Sequence, residues 1–133
     1  MVVITTSDGK DYLANAGATK LNSVQVHALD ASGGSIAPAE ILELLYSQFE
    51  VRILLHEGGP TLLAQFLAAE AVDELFLTLS PQIAGRKADT TRPALVEGVE
   101  FAPDCAPWFQ LLTVKQQDQY LYLRYQRTTP QLR

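Results

Sequence analysis

A near-continuous apolar run that stops at a carboxylate and two glycines is the feature that most limits how this chain can fold. The run is VRILLHE (51–57), and Gly58, Gly59 and a helical pattern from about Pro60 follow it. A short apolar run of this kind is typical of a strand covered on both faces, as in a parallel sheet. The stretch therefore predicts a βα unit in which a buried strand ends at Glu57 and turns directly into a helix.

Strand-like and helix-like patterns alternate along the rest of the chain. Short β-branched or alternating runs indicate strands, and apolar positions three and four residues apart indicate helices. The predicted order is strand 2–5, helix 10–19, strand 23–29, helix from Pro38, strand 51–57, helix from Pro60, strand 73–80, and a C-terminal hairpin of strands 108–116 and 119–127. Residues 7–9 are expected to form a turn, 31–35 a flexible loop and 82–107 irregular structure.

This order predicts a single α/β domain over residues 1–133. Strands that alternate with helices imply a mostly parallel sheet with helices on both faces. The final hairpin adds antiparallel strands, so we expect the sheet to be mixed.

Composition limits the classes of partner. The net charge of −5 argues against a nucleic-acid binder, which normally presents a basic surface. No apolar stretch approaches the ~20 residues that cross a bilayer, and the start of the chain shows no signal-peptide pattern. Cys105 is the single cysteine, and His27 and His56 lack metal-type spacing, so we expect neither a disulfide nor a metal site. These features predict a cytoplasmic protein without nucleic-acid or membrane partners.

The two glycines before Pro60 suggest a site for an anion. A helix N-terminus carries free N–H groups and about half a positive charge. Because Gly58 and Gly59 have no Cβ atoms, a phosphate can approach their backbone, and Thr61 adds a hydroxyl donor. The motif is neither G-x-G-x-x-G nor a P-loop, so a tight βα turn without a ligand explains these residues equally well.

Three polar residues near the same predicted sheet edge have both a structural and a functional interpretation. Glu57 either complements the helix dipole or accepts hydrogen bonds from amide or hydroxyl groups of a ligand. Thr5 and Thr6 end the first strand, and in a parallel sheet they lie on the same edge as Glu57. They are either β-branched strand-end residues or hydroxyl donors to the phosphate or ribose of a nucleotide.

The stretch HEGGPTLLAQFLAAEAVDELFLTLSPQIAG (56–85) contains three short motifs in order. They are Glu57-Gly58-Gly59-Pro60-Thr61-Leu62, Val72-Asp73-Glu74-Leu75 and Pro81-Gln82-Ile83-Ala84-Gly85. Their order and spacing resemble the E-G-G-x-x-L, V-D-E-L and P-x-hydrophobic-hydrophobic-G motifs of the C-terminal reductase domain of the riboflavin-biosynthesis protein RibD. This is a pyrimidine reductase family with a dihydrofolate-reductase-like fold. The resemblance is strong over 54–85 and looser over nearly all the remaining chain.

The resemblance implies a three-layer αβα fold and an NADPH-dependent reductase of riboflavin biosynthesis. Such an enzyme acts on a pyrimidine nucleotide of the 5-amino-6-(5-phosphoribosylamino)uracil type and turns its ribose into ribitol. By the same resemblance, Glu57 contacts the substrate, and Thr5 or Thr6 lies near the adenosine half of the cofactor. The residues implied to hold the cofactor pyrophosphate are Gly58, Gly59, Pro60, Thr61, Leu62 and Leu63. No side chain is implied as an acid or base, because the hydride comes from the nicotinamide.

The chain departs from the family pattern at its beginning. The family's domain opens with a strand that ends in a Ser-Leu-Asp-Gly-type loop, followed by a helix and two further strands. In this chain the first segment, VVITTSDGK (2–10), resembles a later strand of the family instead. The sheet is therefore expected to be incomplete at the N-terminus. The chain is then either a fragment of a longer protein or a short form that completes its sheet in another way, for example as a homodimer. A non-catalytic nucleotide-binding or dimerisation module and a dihydrofolate-reductase-like enzyme with another substrate remain alternatives.

Overall fold

The computed structural model describes residues 1–17, 23–32, 34–85, 87, 89 and 92–128. It divides into two compact units, Met1–Leu55 and His56–Arg133. Among the described residues, no helix is both long enough and apolar enough to cross a membrane.

The first unit is built on a parallel pair of strands. Strand β1 (Val2–Thr5) pairs with strand β2 (Gln25–Ala28), so that Val3 lies opposite Val26. Helix α1 (Ser7–Asn15) connects them and lies against β2. Helix α2 (Pro38–Phe49) follows and has Pro38 in its first turn, where the missing N–H of proline costs nothing. The predictions of β1, β2 and α2 are confirmed.

Helix α1 begins earlier than the sequence pattern predicts. Thr6 is its N-cap, and the Thr6 hydroxyl accepts the N–H of Gly9 at 3.1 Å. Asp8 lies in the first turn, where a negative charge complements the helix dipole. The predicted turn at 7–9 is therefore the first turn of a helix, and that prediction was wrong. Residues 18–19 of the predicted helix lie outside the described residues.

Two further sequence predictions for the segments before Pro60 were wrong. The predicted loop at 31–35 contains the short antiparallel strands β3 (Ala31–Ser32) and β4 (Ser35–Ile36). The predicted strand at 51–57 is absent, since residues 51–59 have no regular structure and Ile53 and Leu55 are 92% and 73% exposed. A strand requires neighbours that pair its backbone N–H and C=O groups, and no described strand pairs with this run.

The second unit combines one helix with an antiparallel sheet. Helix α3 (Pro60–Ala68) precedes strands β5 (Glu74–Leu79), β6 (Trp108–Gln117) and β7 (Tyr120–Thr128). The sheet order is β5-β7-β6, and β6 and β7 form the predicted C-terminal hairpin. Three apolar residues of α3 are the buried residues in the described part of the chain: Ala64, Phe66 and Leu67. Burial of this helix face fixes where its N-terminus lies within the unit.

The mixed α/β class is confirmed, with the balance of strand pairing reversed. Parallel pairing is confined to β1 and β2 in the described residues, and the other pairs are antiparallel. The prediction of a mostly parallel sheet was wrong because it counted on the run at 51–57 as a central strand.

Candidate functional site

The N-terminus of α3 presents backbone donors without intrahelical partners. Gly59 is the N-cap residue, with φ −69° and ψ 170°, and no side chain caps the helix. The first helical bond runs from the Leu63 N–H to the Gly59 carbonyl at 3.0 Å. The N–H groups of Gly59, Thr61 and Leu62 therefore have no intrahelical acceptor, and Pro60 has no N–H. Together with the helix dipole, these three donors favour an anion at this end of α3.

The two glycines at this end differ in what surrounds them. A Cβ atom on Gly58 would lie 2.9 Å from Leu62 Cδ2 and 3.0 Å from His56 Nε2. A Cβ atom on Gly59 would meet nothing within 4 Å. Packing within the chain thus explains the glycine at 58. It does not explain the glycine at 59, whose open surroundings leave room for a ligand beside the free N–H groups.

The side chain of His56 lies close to Gly58. The imidazole ring packs against Phe66, with ring centroids 5.0 Å apart and planes tilted by 44°. His56 Nε2 is buried and has no hydrogen-bond partner among the described residues. In the sequence, His56 was weighed only as a metal ligand, and its spacing from His27 spoke against that role. Its position two residues before Gly58 was the one signal that could have drawn attention to it.

A loop from the irregular region borders the first turn of α3. The Glu97 N–H donates to the Pro60 carbonyl at 3.3 Å, and a Cβ on Gly98 would lie 3.8 Å from Thr61 Cγ2. The Glu97 carboxylate in turn accepts the N–H of Ala94 within the loop. No sequence pattern predicted a role for this loop, because Glu97 and Pro60 are distant in the chain and their contact leaves no local pattern.

The other predicted site residues have the following places. Glu57, Thr61 and Leu62 are exposed, whereas Pro60 and Leu63 are half-buried. Thr5 and Thr6 belong to the first unit. Their expected place on one sheet edge with Glu57 required a strand at 51–57, and that strand is absent.

The two threonines have local roles in the first unit. The Thr6 hydroxyl caps α1 by accepting the Gly9 N–H. A Cβ on Gly9 would lie only 2.0 Å from Thr5 Oγ1, so the Thr5 hydroxyl requires a glycine at this position. Both side chains thus help to build the start of α1.

The acidic motif residue Glu74 is occupied by a structural ion pair. Arg124 Nη2 and Nε lie 2.6 and 2.9 Å from the two carboxylate oxygens of Glu74, which is the first residue of β5. Hydrogen bonding and the positive charge of Arg124 lower the pKa of Glu74 below its ordinary value. Glu74 therefore joins β5 to β7, and it lies at the beginning of the strand that the sequence predicts at 73–80.

A concave surface lies in the first unit. It is a cavity of about 700 Å³ at the end of β2 and along α2, and three of its lining residues are Asp30, Glu40 and Glu43. Three carboxylates repel a phosphate group. The N-terminus of α3 is therefore the better candidate site for an anionic ligand.

Comparison with solved structures defines the class of fold. Two structures of Acinetobacter baumannii RibD each have a TM-score of 0.69 to this chain, at 24% and 23% identity, and cover 96% of this chain and 31% of theirs. A pyrimidine reductase-like protein from Corynebacterium diphtheriae has a TM-score of 0.67 at 19% identity, over 97% of this chain and 50% of its own. The chain thus has the mixed α/β fold of these proteins and spans at most half of their length. No match was found among curated proteins.

The family follows from the sequence itself. The RibD C-terminal domain family matches residues 1–119. The chain therefore belongs to the RibD C-terminal domain family, as its three motifs indicated.

Proposed function

We propose that this chain is an NADPH-dependent reductase of riboflavin biosynthesis, or the cofactor-binding part of one. The proposed substrate is a pyrimidine nucleotide of the 5-amino-6-(5-phosphoribosylamino)uracil type, whose ribose is reduced to ribitol. Family membership supports the pathway. The observation that carries the cofactor proposal is the uncapped N-terminus of α3, with open space at Gly59.

The residues present fit a dinucleotide pyrophosphate. A pyrophosphate needs several N–H donors on one side and close backbone approach, and Gly59, Thr61 and Leu62 provide the donors. The exposed Thr61 side chain adds a hydroxyl donor. Pro60 holds the first turn in helical geometry, which keeps the donors aligned before a ligand arrives.

The chain's own residues bind and orient, while bound NADPH supplies the hydride. Glu57 is exposed next to the glycines and is proposed to accept hydrogen bonds from the substrate. Leu63 is half-buried, and its N–H closes the first turn of α3 on the Gly59 carbonyl. Contact of Thr5 or Thr6 with the adenosine half of the cofactor stays a prediction from the family resemblance.

The test of this function is turnover. Purified protein is mixed with NADPH and a ribosylamino-pyrimidine 5′-phosphate, and absorbance at the nicotinamide band is followed. Oxidation that depends on the pyrimidine supports the reductase. Tight NADPH binding without oxidation restricts the proposal to the cofactor-binding part, and absence of both contradicts it.

A second candidate function is a self-associating nucleotide-binding module, and exposed apolar side chains favour it. Ile53, Leu54 and Leu55 are 92%, 44% and 73% exposed. The edge strand β6 also exposes Leu111 and Val114, at 45% and 51%. Open strand edges with apolar residues invite pairing with another chain, so we propose a homodimer. Sedimentation velocity at several concentrations tests it, and a monomer throughout contradicts it.

A further inference from the structure

His56 has a ring nitrogen to which the described residues offer no hydrogen-bond partner. Its Nε2 is buried and has no hydrogen-bond partner among the described residues. A buried polar atom without a partner destabilises a fold, and an apolar side chain of similar size avoids that loss. The ring packs against the apolar ring of Phe66, with centroids 5.0 Å apart, and Leu62 lies on the same side of Gly58. Packing alone would therefore be served better by a leucine at position 56.

The absence of a side chain at Gly58 leaves open space beside the His56 nitrogen. His56 Nε2 and Cε1 lie 3.0 and 3.1 Å from the place where a Cβ on residue 58 would stand. Gly58 is exposed and has no side chain, so the position 3.0 Å from Nε2 that a Cβ would occupy is empty. A rotation of the ring toward Gly58 would move Nε2 toward the residue that directly precedes the N-cap of α3.

We infer that His56 is a ligand-positioning residue of the α3 N-terminal site, and that its Nε2–H donates a hydrogen bond to the anionic group that binds there. Gly58 is the residue that lets the imidazole reach this group. This role rests on the proposed function, because the anion is taken to be the pyrophosphate of NADPH. It adds a side chain that the three family motifs do not include, since Glu57 is the first residue of the Glu-Gly-Gly motif.

The experiment measures thermal unfolding and NADPH affinity for the wild type, His56→Leu and His56→Gln. In His56→Leu, the melting temperature should rise by about 3 °C, because the unpaired nitrogen is gone. The dissociation constant for NADPH should rise about fivefold, the loss of one hydrogen bond. His56→Gln keeps a nitrogen near the position of Nε2 and should recover much of the affinity. A residue that only packs would not change stability and affinity in opposite directions.

Two further variants distinguish the effect of the open space at Gly58 from the effect of packing on α3. The Cβ of Gly58→Ala would occupy the space beside Nε2, so this variant should weaken NADPH binding about as much as His56→Leu does. In the double variant, Gly58→Ala should add little to the loss of affinity caused by His56→Leu. Leu67→Val removes a methylene from the buried face of α3 and should lower the melting temperature while leaving the affinity unchanged.

The outcomes distinguish this inference from the proposed function. Wild-type binding with unchanged affinity in His56→Leu would overturn the role of His56 alone. A lower melting temperature in His56→Leu would also overturn it, because the imidazole would then be a packing residue. Absence of NADPH binding by the wild type would overturn the proposed function and this role together.

Discussion

Substitution of Gly59 by aspartate should strengthen the fold and abolish cofactor binding. The extended backbone of Gly59 at the N-cap suits aspartate, and a Cβ there meets nothing within 4 Å. The new carboxylate can accept the N–H of Thr61 or Leu62 and complement the helix dipole, which stabilises the fold by about 0.5 kcal/mol. The same carboxylate stands where the pyrophosphate is proposed to bind. Two negative charges about 4 Å apart near a protein surface repel by about 4 kcal/mol, on the order of a 1000-fold loss of affinity.

Calorimetric titration with NADPH and urea unfolding measure the two effects on the same protein samples. Gly59→Asn is the matched control, because asparagine caps the helix without a charge. It should lose only about tenfold in affinity, the value of the one N–H donor that it occupies. Wild-type affinity in Gly59→Asp would refute the assignment of the pyrophosphate to this helix end. A large loss of stability in Gly59→Asp would show that the open space at Gly59 is misjudged.

Three further predictions concern the scaffold. Glu50 is the C-cap of α2 and has left-handed backbone geometry, at φ 55°, which is strained for a residue with a Cβ atom. Glu50→Gly should therefore raise the free energy of unfolding, measured by urea denaturation, by about 0.5–1 kcal/mol. A lower free energy of unfolding would contradict the presence of this strain. Arg124 lowers the pKa of Glu74, so this pair stabilises the fold above the ordinary glutamate pKa of about 4.3, and that stability is lost as pH falls through the lowered value. In Glu74→Gln, acid unfolding curves should therefore lose part of their pH dependence, and identical curves would contradict the pair's role. Ile53→Lys should shift any homodimer to monomer in sedimentation velocity, and an unaffected dimer would place the interface elsewhere.

Local signals in the sequence were sufficient for the elements that depend on local chemistry. Pro38 and Pro60 begin α2 and α3 because proline fits the first helical turn. The alternation in Tyr120–Thr128 and the turn at Asp118, at φ 53°, produce the C-terminal hairpin. The anion site proposed at the N-terminus of α3 also rests on local sequence, since the proposal needs only glycines before a helix.

Features that depend on distant partners were not predictable in the same way. The run at 51–57 has the composition of a buried strand, but pairing requires a neighbour that the run itself does not specify. The start of α1 was missed because Thr6 and Gly9 form a cap that looks like turn chemistry in the sequence. The unpaired Nε2 of His56 is visible only when Phe66 and Gly58 are seen around it.

The most direct test of the central claim is an NMR titration of the ¹⁵N-labelled protein with NADPH. If the cofactor pyrophosphate binds at the start of α3, the amide signals of Gly59, Thr61 and Leu62 should shift most and saturate together. Amides in the middle of the hairpin, such as those of Leu123 and Val114, should stay in place. Shifts confined to other residues, or no shifts at millimolar NADPH, would contradict the claim.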